Sequence, residues 1–429
     1  MNWAIILLFV TLAVCFIIRM PIAFSMLAAS IFYYVVAAPA QLGQVFTVIT
    51  GNMFSNYTML AAPLFIFMAN VLNEGEVTDR IFDFCNGLLG KLKGGTAHVN
   101  VMLSLIFSGM TGSAIADASG IGIMEINQMK REGYDDGFTC AITAASATIG
   151  PIFPPSIPMV IYAMLSGASI GKLFMGGMIP GVLLAVFLGA YVAVISNKRN
   201  YPAGVIMTRK EFGRATVRAL PALLTVVILL GGIYTGVCTP TEAGAVASAY
   251  ALLISTFIYR TMGWQKLWNI IKKSAANTAT LALLCGTSML FSYIISLEQV
   301  PLAVASVVTG LTDNKYLFLL IVNIVFLLLG CVLDVSTIQL VFVPMVLPLV
   351  KAFGIDLVHF GVVICFNMMI GLSTPPFGML LFITSQLGKT KLADMIKEIW
   401  PMIIIMIVEL FLMTYIPNLI MFIPNHLMR

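Results

Sequence analysis

Long apolar runs, interrupted by charges, prolines and glycine clusters, make up most of the chain. Apolar stretches of about 20 residues predict membrane-spanning helices. Reading from the start, spans are expected at 2–18 (ended by Arg19 and Pro21), 21–38 and 50–72. A polar, amphipathic stretch, 73–98, follows. The apolar stretch 99–128 is broken by Ser108-Gly109-Met110-Thr111-Gly112-Ser113, and 137–166 by Gly150-Pro151-Ile152-Phe153-Pro154-Pro155. Further spans are expected at 173–196, 219–237, 241–259, 276–296 and 398–423. Between them lie a basic loop, 197–218, and a basic amphipathic stretch, 260–273. The stretch 316–350 carries Gly330 and Asp334 near its middle, and 357–386 is broken by Gly371-Leu372-Ser373-Thr374-Pro375-Pro376. The pattern predicts an all-α polytopic membrane protein, with 99–128 and 316–350 as re-entrant helical hairpins. The stretches 73–98 and 260–273 are too charged to span and are expected to lie along the surface as amphipathic arms.

Composition agrees. Of 429 residues, 60% are hydrophobic and 10% charged, where a soluble domain carries roughly a quarter charged. Mean hydropathy is +1.02. These values exclude a soluble enzyme, a disordered regulator and a nucleic-acid binder. The seven cysteines lie far apart and read as small packing residues, and His98, His359 and His426 form no metal-ligand spacing. The first apolar segment lacks a basic n-region and a cleavage site, so it reads as a retained helix. With the loop 197–218 in the cytoplasm and both hairpins re-entrant, 19 of the 23 lysines and arginines are cytoplasmic. Lys172, Lys315, Lys351 and Arg429 fall on the other side, as do both chain ends.

The chain also repeats itself. Shifted by 221 residues without a gap, Gly109 falls on Gly330, Lys130 on Lys351 and Gly150 on Gly371. Pro154-Pro155 falls on Pro375-Pro376, and Pro180 on Pro401. The predicted repeats are 1–210 and 211–429. Five spans plus one hairpin is an odd number of crossings, so the second copy is expected to be inverted, as in many secondary transporters.

The breaks carry the candidate chemistry. Backbone interrupted at membrane depth must be buried in protein or line a cavity. Its freed carbonyls suit Na⁺, and half-helix N-termini suit a carboxylate. One Na⁺ site per repeat is expected, between hairpin tip and broken helix. The first would draw on Ser108, Gly109, Thr111, Gly112, Ser113 and Gly150. The second would draw on Gly330, Asp334, Ser336, Thr337, Gly371, Ser373 and Thr374. Substrate is expected between the two tips, against Asp117, Pro154, Pro155, Ser156, Pro375 and Pro376. The alternative is that the small residues only permit close helix packing. Asp117 and Asp334 read as cation ligands or fixed charges, or as N-caps of the returning hairpin helices. Glu242, in Thr239-Pro240-Thr241-Glu242, reads as part of a helix cap. Glu409 has no assigned role.

Three motifs together resemble the large membrane subunit of TRAP transporters, the tripartite ATP-independent periplasmic transporters. They are Phe107-Ser-Gly-Met-Thr-Gly-Ser-Ala-Ile-Ala-Asp117, Gly150-Pro-Ile-Phe-Pro-Pro-Ser156 and Tyr234-Thr-Gly-Val-Cys-Thr-Pro-Thr-Glu242. The resemblance covers essentially the whole chain. It implies an elevator-type, Na⁺-driven importer in a bacterial inner membrane. It also implies two partners: a small four-helix membrane subunit, expected as a separate chain, and a soluble periplasmic substrate-binding protein that delivers an organic acid. Family substrates are mostly carboxylates, including C4-dicarboxylates and sialic acid, with sialic acid the first expectation here. A channel built from the hairpins is the alternative. An intramembrane aspartyl protease is disfavoured because no Gly-x-Gly-Asp precedes either acid, and an ATP-driven pump because no phosphate-binding Gly-x4-Gly-Lys-Ser/Thr loop occurs.

Overall fold

The computed structural model describes residues 3–427 apart from Asn56, Glu76 and Val205. The expected first residue of span one, Asn2, and the outer-side Arg429 lie outside the described residues. The described chain is built from helices, in two successive series. The first comprises α1 (Trp3–Ile17), α2 (Ile22–Ala37), α3 (Gln44–Ser55), α4 (Ala61–Glu74), α5 (Val77–Leu89) and α6 (Gly95–Thr111). It continues with α7 (Ala114–Gly120), α8 (Gly122–Arg131), α9 (Asp136–Ala147), α10 (Ile157–Ser166) and α11 (Ile170–Arg199). The second comprises α12 (Arg209–Tyr234), α13 (Pro240–Leu253), α14 (Trp264–Leu297), α15 (Val300–Leu311), α16 (Lys315–Gly330), α17 (Val335–Ala352), α18 (Leu357–Ser373), α19 (Met379–Gly388), α20 (Leu392–Tyr415) and α21 (Asn418–Leu427).

The 221-residue repeat reappears in these boundaries. The starts of α6, α7, α9, α10 and α11, shifted by 221, fall within one residue of the starts of α16, α17, α18, α19 and α20. The Pro154–Pro155 and Pro375–Pro376 peptide bonds, also 221 apart, are both cis.

Both broken stretches return to the side from which they start. At the base of the first hairpin the Thr96 hydroxyl, at the start of α6, donates to Glu132, just past α8, at 2.5 Å. At the base of the second, Phe318 of α16 stacks on Phe353 at 4.8 Å. The two bases lie at opposite ends of α20. Lys130 Nζ of the first base reaches the Gly388 carbonyl at 2.6 Å, and Arg199 pairs with Glu398 at 2.9 Å near the start of α20. At its other end Thr414 accepts from Asn323 of α16 at 2.9 Å, and Tyr415 packs on Tyr316. The 24 residues of α20 separate those ends by about 36 Å. The hairpins therefore point toward each other from opposite faces.

Packing sorts the helices into two groups. In one, α14 gathers α2, α3 and α4, while α13 rests on α4 and α12 on α5. In the other, α9 and α18 lie against α20, α16 lies against α18, and α6 against α9. Across the two repeats, α10 packs on α17 and α19 on α7 and α8, a reciprocal exchange. The groups meet where α5 touches α6, where α17 touches α14 and α15, and where α4 touches α6 and α10.

Several expected elements differ. The arm at 260–273 and the span at 276–296 are one helix, the 34-residue α14. Its charged start, with Lys266, Lys272 and Lys273, continues straight into the apolar part, because long lysine stems can run along a helix end toward water. The Lys272 ammonium lies 5.5 Å from the Trp268 ring. Within the other expected arm, 73–98, lies the short α5, whose Phe84 stacks on Phe212 of α12. The expected span 50–72 is divided into α3 and α4 by a 3-10 turn at Tyr57–Leu60. A separate α15 occupies a stretch assigned no element from sequence. The basic loop ends early, because Thr208 and Glu211 form a reciprocal capping box that starts α12 at Arg209. The last span divides into α20 and α21, bent by 55°.

Candidate functional site

Each hairpin turns at a residue whose side chain caps the returning helix. Gly112 ends α6 with φ +61°, and the Ser113 hydroxyl accepts from the Ala116 amide at 3.4 Å. In the second hairpin Asp334, 221 positions after Ser113, accepts from the Thr337 amide at 3.1 Å and from the Thr337 hydroxyl. The N-cap reading therefore holds for Asp334. It fails for Asp117, because Ser113 occupies the cap and Asp117 sits a turn further along α7.

Each tip is seated on the broken helix of its own repeat. The Ile157 amide, at the start of α10, donates to the Gly112 carbonyl at 3.3 Å. A Cβ at Gly112 would lie 2.4 Å from the Pro155 carbonyl oxygen. Gly150 rests on the Ser113–Ala114 backbone, with 3.4 Å left for a Cβ. In the second repeat, a Cβ on Gly371 would lie 2.5 Å from the Gly330 backbone. Glycine is needed at Gly112 and Gly371 because backbone meets backbone there, whereas a Cβ at Gly150 would make ordinary contact with the tip.

The tips enclose a cavity of about 120 Å³, lined by Gly112, Ser113, Ala114, Ile115, Pro151, Ile157, Pro158, Asp334, Val335, Ser336, Met369 and Leu372. Both repeats thus contribute one tip and part of one broken helix to a single space. Asp334 is the one charged side chain in that lining. A neighbouring space of about 310 Å³, behind the second tip, is lined in part by Gly330, Phe377 and Gln386.

Of the residues expected from sequence, Gly112, Ser113, Asp334 and Ser336 line the shared cavity. Gly150, Gly330, Gly371 and Pro155 form the tip-to-break contacts. Ser108 and Thr111 are buried and bond back to the Leu105 and Phe107 carbonyls of α6, at 2.5 and 3.4 Å. Ser373 and Thr374 do the same to the Ile370 carbonyl, at 3.0 and 2.6 Å. Gly109 faces outward from the tip, against Val226 of α12. Ser156 caps α10 and donates to the Pro151 carbonyl, and Pro154 is buried beside it. Pro375 is half-buried and Pro376 exposed, so the second break is the more open. Thr337 is buried behind Asp334. Asp117 is also buried, at 1% exposure, and does not line the cavity.

Sequence reading missed a buried polar cluster beneath the first tip. Asn100 of α6 donates to Glu125 of α8 at 2.6 Å and to Thr143 of α9 at 2.9 Å, and it accepts from Ser146 at 2.7 Å. Glu125 inside the predicted stretch 99–128 was the signal available, because an acid at that depth is rare. At the base of the same hairpin, Arg199 Nη2 donates to both Glu398 oxygens at 2.9 Å and Nη1 donates to Asp135 at 2.9 Å. Tyr201 donates to Asp135 at 2.6 Å, and burial together with that carboxylate pushes its phenol up to about 12.

Comparison with known proteins follows the same lines. Residues 9–419 match the family described as "Tripartite ATP-independent periplasmic transporter, DctM component". The chain is 40% identical over 370 residues to the sialic acid TRAP transporter permease protein SiaT of Haemophilus influenzae, covering 86% of this chain and 60% of that longer one. It is 37% identical to the sialic acid TRAP transporter large permease protein SiaM of Vibrio cholerae, covering 95% of each. It is also 37% identical to the C4-dicarboxylate TRAP transporter large permease protein DctM of Pseudomonas aeruginosa, covering 87% of each. Among solved structures, the Alcanivorax borkumensis YdaH transporter shares the fold, with a TM-score of 0.60 at 14% identity, covering 87% of this chain and 88% of that one. The chain belongs to the DctM component family of tripartite ATP-independent periplasmic transporters.

Proposed function

We propose that the chain is the large membrane subunit of a Na⁺-coupled importer of organic acids. The observation that carries this reading is the cavity of about 120 Å³ shared by the two tips, with Asp334 and Ser113 facing it from opposite repeats. Na⁺ binds between each tip and the broken helix it rests on, where interrupted backbone supplies carbonyl oxygens. The first ion is held around Ser108–Ser113 and Gly150. The second is held around Gly330, Asp334, Ser336, Thr337 and Gly371–Thr374. The carboxylate of the substrate enters the space between the tips and meets the cap-end amides of the returning helices. Ion binding draws the tips onto the breaks, and the cargo is then committed.

The two packing groups supply the moving parts. The bundle with both hairpins travels against the group gathered around α14, as an elevator. The repeats are inverted, which the hairpin bases at opposite ends of α20 support. The inner membrane holds the protein, with the 197–218 loop in the cytoplasm and both termini outside. A soluble periplasmic binding protein delivers the acid, and a small membrane subunit completes the assembly. Sialic acid is the first candidate and C4-dicarboxylates the second, since relatives of both names match at 37% identity or more.

Uptake into proteoliposomes tests this function. Labelled sialic acid or a C4-dicarboxylate should accumulate only with the matching binding protein and an inward Na⁺ gradient. A substrate-independent ohmic current would favour the channel instead.

A further inference from the structure

The short helix α5 and the start of α12 share a cavity away from both hairpin tips. Phe84 of α5 stacks on Phe212 of α12, and a Cβ on Gly87 would lie 2.2 Å from the same ring. One turn before Phe84, the Arg80 guanidinium lies 3.7 Å over the Tyr259 ring. Tyr259 in turn donates to the Arg218 carbonyl at 3.0 Å and accepts from the Ala222 amide at 3.1 Å. These contacts hold α5 against α12, and beside them lies a space of about 310 Å³. Asp83 lines it from α5, Arg214 and Arg218 from α12, and Ile206 and Met207 from the segment before α12.

The charges around this space are not matched to each other. Arg214 and Arg218 stand one turn apart on the same face of α12. Among the described residues neither forms an ion pair, although Asp83 lines the same cavity. Glu211, the other acid in the lining, is engaged by the cap of α12, where it accepts from the Thr208 amide and hydroxyl at 2.8 Å. Two guanidinium groups and one carboxylate thus face a common space without closing on one another. The surroundings are those of a membrane surface. Helix α12 is long and apolar enough to cross a bilayer. Beside its arginines, Val217, Leu220, Leu224 and Val227 form an exposed apolar stripe at helical spacing.

A fitting occupant has a phosphate for the arginines, a cationic hydrogen-bond donor for Asp83 and apolar chains for the stripe. Basic pockets beside transmembrane helices hold phosphate headgroups in this way. We infer that the space between α5 and α12 binds the headgroup of a membrane phospholipid carrying a primary ammonium, phosphatidylethanolamine. Arg214 and Arg218 donate to the phosphodiester oxygens, a task that suits the planar guanidinium fork. Asp83 accepts from the ammonium, and the acyl chains run along Val217, Leu220, Leu224 and Val227. A purely anionic headgroup would set its charge beside Asp83, and a choline headgroup has no N–H to donate. The position matters because α5 links α4 of one packing group to α6 of the other. A lipid held here ties that link to α12 and to the membrane surface.

Native mass spectrometry of the purified, delipidated full-length protein tests this without reference to transport. Phosphatidylethanolamine, phosphatidylcholine and phosphatidylglycerol with the same acyl chains are offered in competition. The first lipid bound by the wild-type protein should be phosphatidylethanolamine, by a severalfold preference. R214Q/R218Q should lower that first adduct severalfold, and R218Q alone serves if the double variant folds poorly. D83A should still bind lipid but lose the preference for ethanolamine over choline. R209Q/K210Q removes the same charge from the start of α12 outside the cavity and should change neither reading. An equal loss in R209Q/K210Q would reveal diffuse attraction of charge and overturn the site. Unchanged binding in R214Q/R218Q, an unchanged preference in D83A, or a preference for phosphatidylglycerol would each overturn it as well. Displacement of the lipid by inorganic phosphate would do the same, because the pocket would then belong to a free anion.

Discussion

Gly371 lies against Gly330 so closely that a Cβ on Gly371 would stand 2.5 Å from the Gly330 backbone. That contact joins the second hairpin to the second broken helix, beside the shared cavity. G371A should lower stability by about 1–3 kcal/mol, the range for forcing extra atoms into a packed interior. G330A leaves 3.1 Å to Gly371 Cα and should be milder, and G213A, with nothing within 4 Å at an exposed position inside α12, should be neutral or slightly stabilising. Apparent melting temperatures in detergent would rank the three.

Gly112 makes the corresponding contact in the first hairpin, under two constraints at once. Its φ is +61°, and a Cβ would meet the Pro155 carbonyl oxygen at 2.4 Å. The backbone term alone costs roughly 1–2 kcal/mol for a residue with a Cβ. G112A should therefore destabilise at least as much as G371A, and uptake should also fall if, as in the proposed cycle, the tip lifts from α10. Initial uptake rates normalised to folded protein would show the difference.

Asp334 combines a cap with a charge at the cavity, and two substitutions separate these roles. D334A removes the cap and should cost about 1 kcal/mol, whereas D334N keeps a capping oxygen and should melt within a few tenths of a kcal/mol of the wild type. Both should lose the Na⁺ dependence of uptake. Normal Na⁺ dependence in D334N would remove the carboxylate from the ion site and leave only the cap.

The cap at Asp334 also marks how far the sequence was readable. Proline and glycine at membrane depth leave an unmistakable trace, because each interrupts backbone hydrogen bonds that lipid cannot replace. Hence the tips, the breaks, the 221-residue register and the cap formed by Thr239, Pro240 and Glu242 are all present as expected. Charge was a poorer guide. Lys266, Lys272 and Lys273 suggested a surface arm, but they sit on the first turns of one continuous helix, α14. Asn100 and Glu125 were hidden because a single polar residue in an apolar stretch does not disclose which helices converge on it. The division between α3 and α4 has no proline or glycine at the turn itself, so nothing local announced it.

Arg199 ties the end of α11 to the start of α20: its Nη2 donates to both Glu398 oxygens while its Nη1 donates to Asp135, and the Arg199 and Glu398 side chains are both less than a third exposed. Partly exposed ion pairs are worth about 0.2–1 kcal/mol. R199K loses the fork geometry and should cost less than about 1 kcal/mol, with a smaller effect at high salt. A double-mutant cycle with E398Q would measure the coupling.

The central claim is that the space between the two tips carries substrate together with Na⁺. Substrate-stimulated entry of radioactive Na⁺ into proteoliposomes tests it most directly. The wild-type protein should admit Na⁺ only when the acid and its binding protein are present, and S113A and D334N should each reduce that entry. Na⁺ entry unaffected by substrate, or unchanged in both variants, would contradict the account.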